Sequence, residues 1–194
     1  MRLFAAVLPP AGAVAELGAA VDRLRALPGS DTLRWTGRED WHYTLAFLGE
    51  VEERLLPELT ARLARAARRT DPFALRIHGG GHFGGHTLWA GAAGALPELR
   101  LLAERTDAAA RRAGVSLTEH RRYHAHLTIA RSRTETDLGP YADGLSDFEG
   151  APWPVSRFAL VRSARPEPGV PGARPRYATV AGWHLGHRGP EGPG

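Results

Sequence analysis

Residues 42–49 read His42-Tyr43-Thr44-Leu45-Ala46-Phe47-Leu48-Gly49, and residues 126–131 read His126-Leu127-Thr128-Ile129-Ala130-Arg131. Both stretches open on His-x-Thr and run on into apolar residues that suit a β-strand. In a strand successive side chains point to opposite faces, so the His and Thr of each copy share a face. The other face carries Tyr43 and Leu45 in one copy and Leu127 and Ile129 in the other, and can pack on a core. One copy lies in each half of the chain. That arrangement predicts two related lobes, each offering one imidazole and one hydroxyl to a shared cleft.

Outward from these strands the chain alternates element types. Residues 3–8 form a short apolar run stopped by Pro9-Pro10, as a buried strand is. Val14, Leu17, Val21 and Leu24 follow at helical spacing over residues 11–27, and Pro28-Gly29 ends the helix. Residues 33–35 read as a short strand. Helices are predicted over 52–69, with Leu55, Leu59 and Leu63 on one stripe, and over 97–113, closed by Gly114. Between them, Phe73, Leu75 and Ile77 alternate, Gly79-Gly80-Gly81 interrupts, and residues 87–90 return as a hairpin partner. The second motif strand covers 125–131. Residues 132–150 are polar with a helical portion near 137–145. Residues 155–162 read as one strand, 164–174 as a Pro/Gly-rich loop, and 177–185 as a last strand. The class is α+β with largely antiparallel pairing. One bilobal domain over residues 1–185 is expected, followed by a flexible tail at 186–194.

Composition sets outer limits. A chain of 194 residues, 43% hydrophobic and 24% charged, is ordinary for a globular protein. It is long enough to bury about 70% of its extended surface. All 25 basic residues are arginine. GC-rich coding explains such a bias, yet the consequence remains physical. Guanidinium forks match phosphate geometry, and a net charge of +4 attracts anions. With no cysteine, disulfides, thiolate catalysis and cysteine-built zinc sites are excluded. No apolar run approaches the roughly 18 residues of a membrane span. Nothing resembles a signal peptide. The expectation is a cytoplasmic, monomeric protein.

Two imidazoles across a cleft can serve as base and acid in one reaction. An ordinary histidine pKa of about 6.5 keeps both protonation states available near neutrality. The threonine hydroxyls on the same face can hold phosphoryl oxygens, and no metal is needed. A single His-x-Thr in a strand is ordinarily a packing or surface feature; two copies in matching strands are not so easily dismissed. Of the remaining histidines, His124 shares the face of His126 but lacks the threonine two places on. His78, His82 and His86 have the spacing of a helical metal site, which the intervening glycines argue against. His120, His184 and His187 read as surface residues.

The chain resembles the 2H phosphoesterases, named for two His-x-Thr/Ser motifs, and more narrowly the RNA 2′,3′-cyclic phosphodiesterases formerly called 2′-5′ RNA ligases. The resemblance rests on Met1 to Val7, on Arg34-Trp35 with His42 to Val51, on Gly84 to Gly91 with Leu88-Trp89, and on His126 to Arg131. Tyr43 stands where that family usually has an aliphatic residue, and Tyr123-His124-Ala125 replaces a more usual proline. The resemblance implies a bilobal α+β fold with two mainly antiparallel sheets, pseudo-twofold symmetry, helices outside and a central cleft. It implies metal-independent hydrolysis of 2′,3′-cyclic phosphates on RNA ends or nucleotides, leaving a 2′-phosphate, with no cofactor. His42 would be the general acid and His126 the general base. Thr44 and Thr128 would hold phosphoryl oxygens, and Arg131 would bind phosphate. Simple alternation, however, puts Arg131 on the face opposite His126, so that role needs a bend there. Arg121, Arg122, Arg165 and Arg174 are candidate contributors to a cationic rim. Ligation of a 5′-hydroxyl at the same site and a non-catalytic RNA-binding module are the competing readings.

Overall fold

Both motif strands form, and they meet. A computed structural model describes residues 1–117, 122–164 and 175–186. The elements run β1 (Arg2–Val7), α1 (Ala11–Arg25), β2 (Arg34–Trp35), β3 (Tyr43–Glu50), α2 (Leu56–Arg68), β4 (Phe73–Phe83), β5 (Thr87–Gly94), α3 (Leu96–Arg112), β6 (Leu127–Arg131), α4 (Gly139–Asp143), β7 (Trp153–Val155), β8 (Arg157–Ala164) and β9 (Arg176–His184). The loop expected at 164–174 and the tail at 186–194 fall almost wholly outside the described residues.

The helices follow their sequence signals. α1 starts directly after Pro10 and buries Leu17, Val21 and Leu24. α2 and α3 each carry a proline in the first turn, where its missing N–H costs nothing. Gly114, at φ +89°, takes the left-handed turn that ends α3.

The strands pair antiparallel throughout, in the order β7-β4-β5-β6-β3-β1-β8-β9, with β2 added on β6. One lobe is β3-β1-β8-β9 and the other is β7-β4-β5-β6. They join at one backbone pair, Tyr43 opposite Leu127. Each is the middle residue of its His-x-Thr, so a local twofold axis passes between them and exchanges the two motifs. Beyond that pair β3 leaves β6, and β2 takes over the freed edge through Arg34–Arg131 and Trp35–Ala130. The two expected sheets are therefore fused into one nine-stranded sheet that opens at its centre.

Two sequence expectations are corrected. The run at 155–162 is two strands: β7 pairs with β4, β8 with β1, and Ser156 alone separates them. A single residue spans only about 3.5 Å, so the sheet must curl until its two ends approach. The glycines at 79–81 do not end β4, but they do interrupt its ladder: Ile77 pairs with Ala92 and Gly80 with Ala90, and Gly79 takes φ +64° at the slip. A Cβ on Gly81 would lie 2.5 Å from the Trp89 ring, and one on Gly80 would lie 2.7 Å from Leu145 Cβ. Gly81 makes room for Trp89 across the hairpin, and Gly80 for Leu145, just beyond α4.

The main core fills the space between helices and sheet. It joins Leu17 of α1, Leu63 of α2 and Leu102 of α3 to Tyr43, Leu88 and Leu127 of the strands. Tyr43 is wholly buried, and its hydroxyl donates to the Gly91 carbonyl at 2.7 Å. An aliphatic residue could not make that bond, which ties β3 of one lobe to β5 of the other. Burial, with Tyr123 nearby, pushes the Tyr43 pKa well above the usual phenol range, so the hydroxyl stays a donor. Tyr43→Phe is expected to cost about 1–3 kcal/mol by stranding a buried carbonyl. At roughly 2–4 °C per kcal/mol for a chain of this size, the melting temperature should fall by several degrees, read by thermal denaturation.

Candidate active site

His42 and His126 each sit immediately before their strand, and both are half-buried. With Tyr43 and Leu127 directed to the core, the flanking His and Thr of each motif face the opposite side. The pairing register sets His42 across from Thr128 and Thr44 across from His126. All four line one cavity of about 610 Å³, together with Arg131, Arg2, Asp40 and Tyr177.

The two imidazoles are held alike. His42 Nδ1 lies 2.7 Å from the Asp40 carbonyl, and His126 Nδ1 lies 2.8 Å from the His124 carbonyl. A carbonyl only accepts, so Nδ1 carries a proton in each ring and Nε2 is the nitrogen that titrates. Aromatic side chains buttress both. Phe4 stacks on His42 at 4.7 Å between centroids, and Tyr177 meets it edge-on at 5.5 Å. Phe83 meets His126 edge-on at 5.0 Å.

Both histidines have pKa values below the ordinary 6.5. Burial is the main cause for His42; the Asp40 carbonyl partly offsets it, and the charges of His126 and Arg131 add to it. Burial also leads for His126, offset by the His124 carbonyl and reinforced by the charges of His124 and Arg131. Both rings are thus readily neutral, and a bound anion would favour protonation of either.

Arg131 reaches the cleft through the bend its role requires. Leu88 pairs with Ala130 but Trp89 pairs with Thr128, so Ile129 is an extra residue in β6. Ile129 and Ala130 are consecutive and both buried. The alternation slips by one, and Arg131 emerges on the face of His126 and Thr128. The bulged carbonyl of Ile129 accepts from the Thr36 N–H at 2.8 Å. The first motif does the same: Ala5 pairs with Ala46 and Ala6 with Thr44, leaving Leu45 extra. Leu45 and Ala46 are buried, and Phe47, 56% exposed, lines the cavity. Phe47 is therefore the twofold mate of Arg131. At this matched position one lobe presents a cation to the cleft and the other an exposed aromatic ring.

The other sequence candidates disperse. Arg122 is exposed and does not line the cavity. Arg121, Arg165 and Arg174, like His120 and His187, lie outside the described residues. His184 is exposed on β9. His78 and His82 lie on β4 and His86 in the following turn. His82 Nδ1 is occupied by the Gly84 carbonyl. Among the described residues no group of three or more His, Cys, Asp or Glu side chains is placed to hold a metal ion. No described helix is long and apolar enough to cross a membrane. Sequence reasoning missed Arg2, Phe4, Asp40, Phe47 and Tyr177. Only Phe47 had a local signal, the paired apolar residues after each His-x-Thr, which break strict alternation at the same point in both copies.

Comparison with known proteins agrees with this geometry. The model of the 2′-5′ RNA ligase superfamily matches residues 11–167. A Thermus thermophilus protein named RNA 2′,3′-cyclic phosphodiesterase is 35% identical over 176 residues, covering 84% of this chain and 82% of that protein. The crystal structure of E. coli LigT in apo form superposes with a TM-score of 0.75 at 25% identity, covering 96% of this chain and 98% of LigT. LigT complexed with 3′-AMP gives a TM-score of 0.70 at 25% identity, covering 95% and 96%. The resemblance carried by the two motifs thus extends over the fold as a whole, and the chain belongs to the 2′-5′ RNA ligase superfamily.

Proposed function

We propose that this protein hydrolyses 2′,3′-cyclic phosphates on RNA ends or nucleotides to 2′-phosphates, without a metal ion, as a monomer of one bilobal domain over residues 1–185. The observation that carries the reading is the pairing of His42 and His126 along one cavity, each with Nδ1 engaged by a carbonyl. The names of the relatives and the 3′-AMP complex of LigT support the same substrate class.

In this reading His126 starts neutral and accepts a proton from water at Nε2. The water oxygen attacks phosphorus and the P–O3′ bond breaks. His42, protonated at Nε2, gives its proton to O3′, leaving a 3′-hydroxyl and a 2′-phosphate. Charge accumulates on the non-bridging oxygens, where Thr44 and Thr128 donate hydrogen bonds and Arg131 supplies a fixed cation. Phe47 offers an exposed ring to a base, a stacking interaction of about 1–3 kcal/mol in nucleic-acid complexes.

Product analysis tests the whole. An oligonucleotide ending in a 2′,3′-cyclic phosphate should yield only the 2′-phosphate, at a rate unchanged by EDTA. Activity lost in EDTA and restored by a metal ion would contradict the scheme. The name of the matching family favours one second reading, in which a 5′-hydroxyl replaces water and a 2′-5′ linkage forms. Adding an acceptor strand to the same assay distinguishes the two. Arg131→Ala should act mainly on binding: KM for an RNA end should rise about tenfold or more, with a smaller change in kcat. Its affinity should also depend less on salt. An unchanged KM would remove Arg131 from the phosphate site.

A further inference from the structure

A second cavity of about 280 Å³ lies along the α2–α3 pair and shares no lining residue with the catalytic cleft. Its floor is Ala66, Ala108 and Ala109; its walls are Arg62, Arg65 and Arg69 from one helix and Arg105 and Arg112 from the other. No carboxylate lines it. Of the helices' acidic residues, Glu58 pairs with the wall residue Arg62, while Glu104 and Asp107 pair away from the groove, with Arg100 and Arg111. Arg65, Arg69 and Arg112 are exposed and, among the described residues, have no carboxylate partner. Arg105 is fixed by donating to the Arg69 carbonyl and to Thr70 Oγ1 across the groove.

Some of this charge offsets the negative ends of α2 and α3. That role needs cations near each helix terminus, not two facing rows over an alanine floor. Arg62 and Arg69 are seven residues apart, as are Arg105 and Arg112, so each row runs about 10 Å at 1.5 Å per residue. That length suits two or three successive phosphates of a single strand. A positively charged groove is how proteins track a single strand's backbone without reading sequence, and the arginine walls over an alanine floor offer such a track to phosphates alone.

We propose that the α2–α3 groove binds the phosphate backbone of the RNA whose 3′ end occupies the catalytic cleft. The helices cover the core face of the sheet and the cleft opens on the other, so the strand must pass around the sheet edge. Only long substrates can use both sites. The inference rests on the RNA-end reading above, but its test separates the two.

The test measures binding of an unreactive RNA of about twenty nucleotides with a 3′-hydroxyl, by fluorescence anisotropy across a salt series. Arg65→Gln, Arg69→Gln and Arg112→Gln together should weaken binding about tenfold or more. The log–log salt slope should flatten by about 2, since each phosphate neutralised on a single strand contributes roughly 0.7. The matching triple lysine variant should keep most of the affinity. Turnover of a cyclic mononucleotide should be unchanged in both variants. Equal affinity and slope in wild type and glutamine variant overturn the groove assignment. Absence of mononucleotide turnover in the wild type overturns the catalytic reading and leaves the binding result standing. Should the triple variant melt early, the Arg65→Gln and Arg112→Gln single variants carry the same comparison with smaller shifts.

Discussion

Alanine at His126 or at His42 should lower turnover of a 2′,3′-cyclic phosphate by roughly 10²–10⁴-fold, the ordinary worth of one positioned proton transfer. The fold should survive. Both rings are half-buried at a cavity wall, outside the hydrogen-bonded strands, and neither belongs to the main core. His42→Ala removes a stacking partner from Phe4 and His126→Ala removes an edge-on partner from Phe83, so small losses in melting temperature are expected with large losses in rate. The double variant should lose less than the product of the single losses, because one proton transfer without the other completes no reaction. Thr44→Ala and Thr128→Ala should each cost less, since each removes one hydrogen bond to the phosphoryl group. A folded His126→Ala protein with near-normal turnover would refute the assignment. His124 would then be the base to test, since its exposed ring lies 6.1 Å from that of His126.

Local pattern carried some features of this molecule and not others, and the dividing line is physical. Side-chain alternation is a property of a strand alone, so the cleft faces of His42, Thr44, His126 and Thr128 could be read directly. Helical stripes are equally local, and α1, α2 and α3 form within a few residues of their expected bounds. The bulges at Leu45 and Ile129 depend on which strand pairs alongside, and strict period-two reading therefore misplaced Arg131. The split at Ser156 has the same origin. Residues 153–164 are continuously strand-like, and only the curl of the whole sheet decides that Val155 pairs in one lobe and Phe158 in the other. Glycines at 79–81 signal a break when read locally; Gly79 does mark a slip in the ladder, but Gly80 and Gly81 answer the bulk of Leu145 and Trp89. Tyr43 looked like a departure from an aliphatic pattern until Gly91, on a strand two removed, supplied its acceptor. Arg2, Asp40 and Tyr177 join the cleft from three separate parts of the chain, and nothing in their own neighbourhoods marks them.

The rate should follow a bell-shaped curve in pH whose centre, for kcat/KM, lies below 6.5. Catalysis needs one imidazole neutral and the other protonated, so the active form carries a single proton. The curve's centre is then the mean of the two apparent pKa values, which belong to the coupled pair. In the free protein both are lowered, first by burial and then by neighbouring positive charge, so their mean falls below the ordinary value. Beyond the basic limb kcat/KM should drop about tenfold per pH unit. A cyclic phosphate bears one negative charge and binds between the rings. It favours their protonated forms, so the curve for kcat, which reports the complex, should be displaced to higher pH. Arg131 bears on both histidines in the opposite sense. Arg131→Ala should move the kcat/KM curve upward, whereas Arg131→Lys, which keeps the charge, should leave its position nearly unchanged. A cyclic mononucleotide is the substrate of choice, because it cannot reach the α2–α3 groove. Proton NMR titration of the two imidazoles in the free protein gives an independent reading, with both midpoints expected below 6.5. A kcat/KM maximum above pH 7, or an Arg131→Ala curve displaced downward, would break the link between these electrostatics and the reaction.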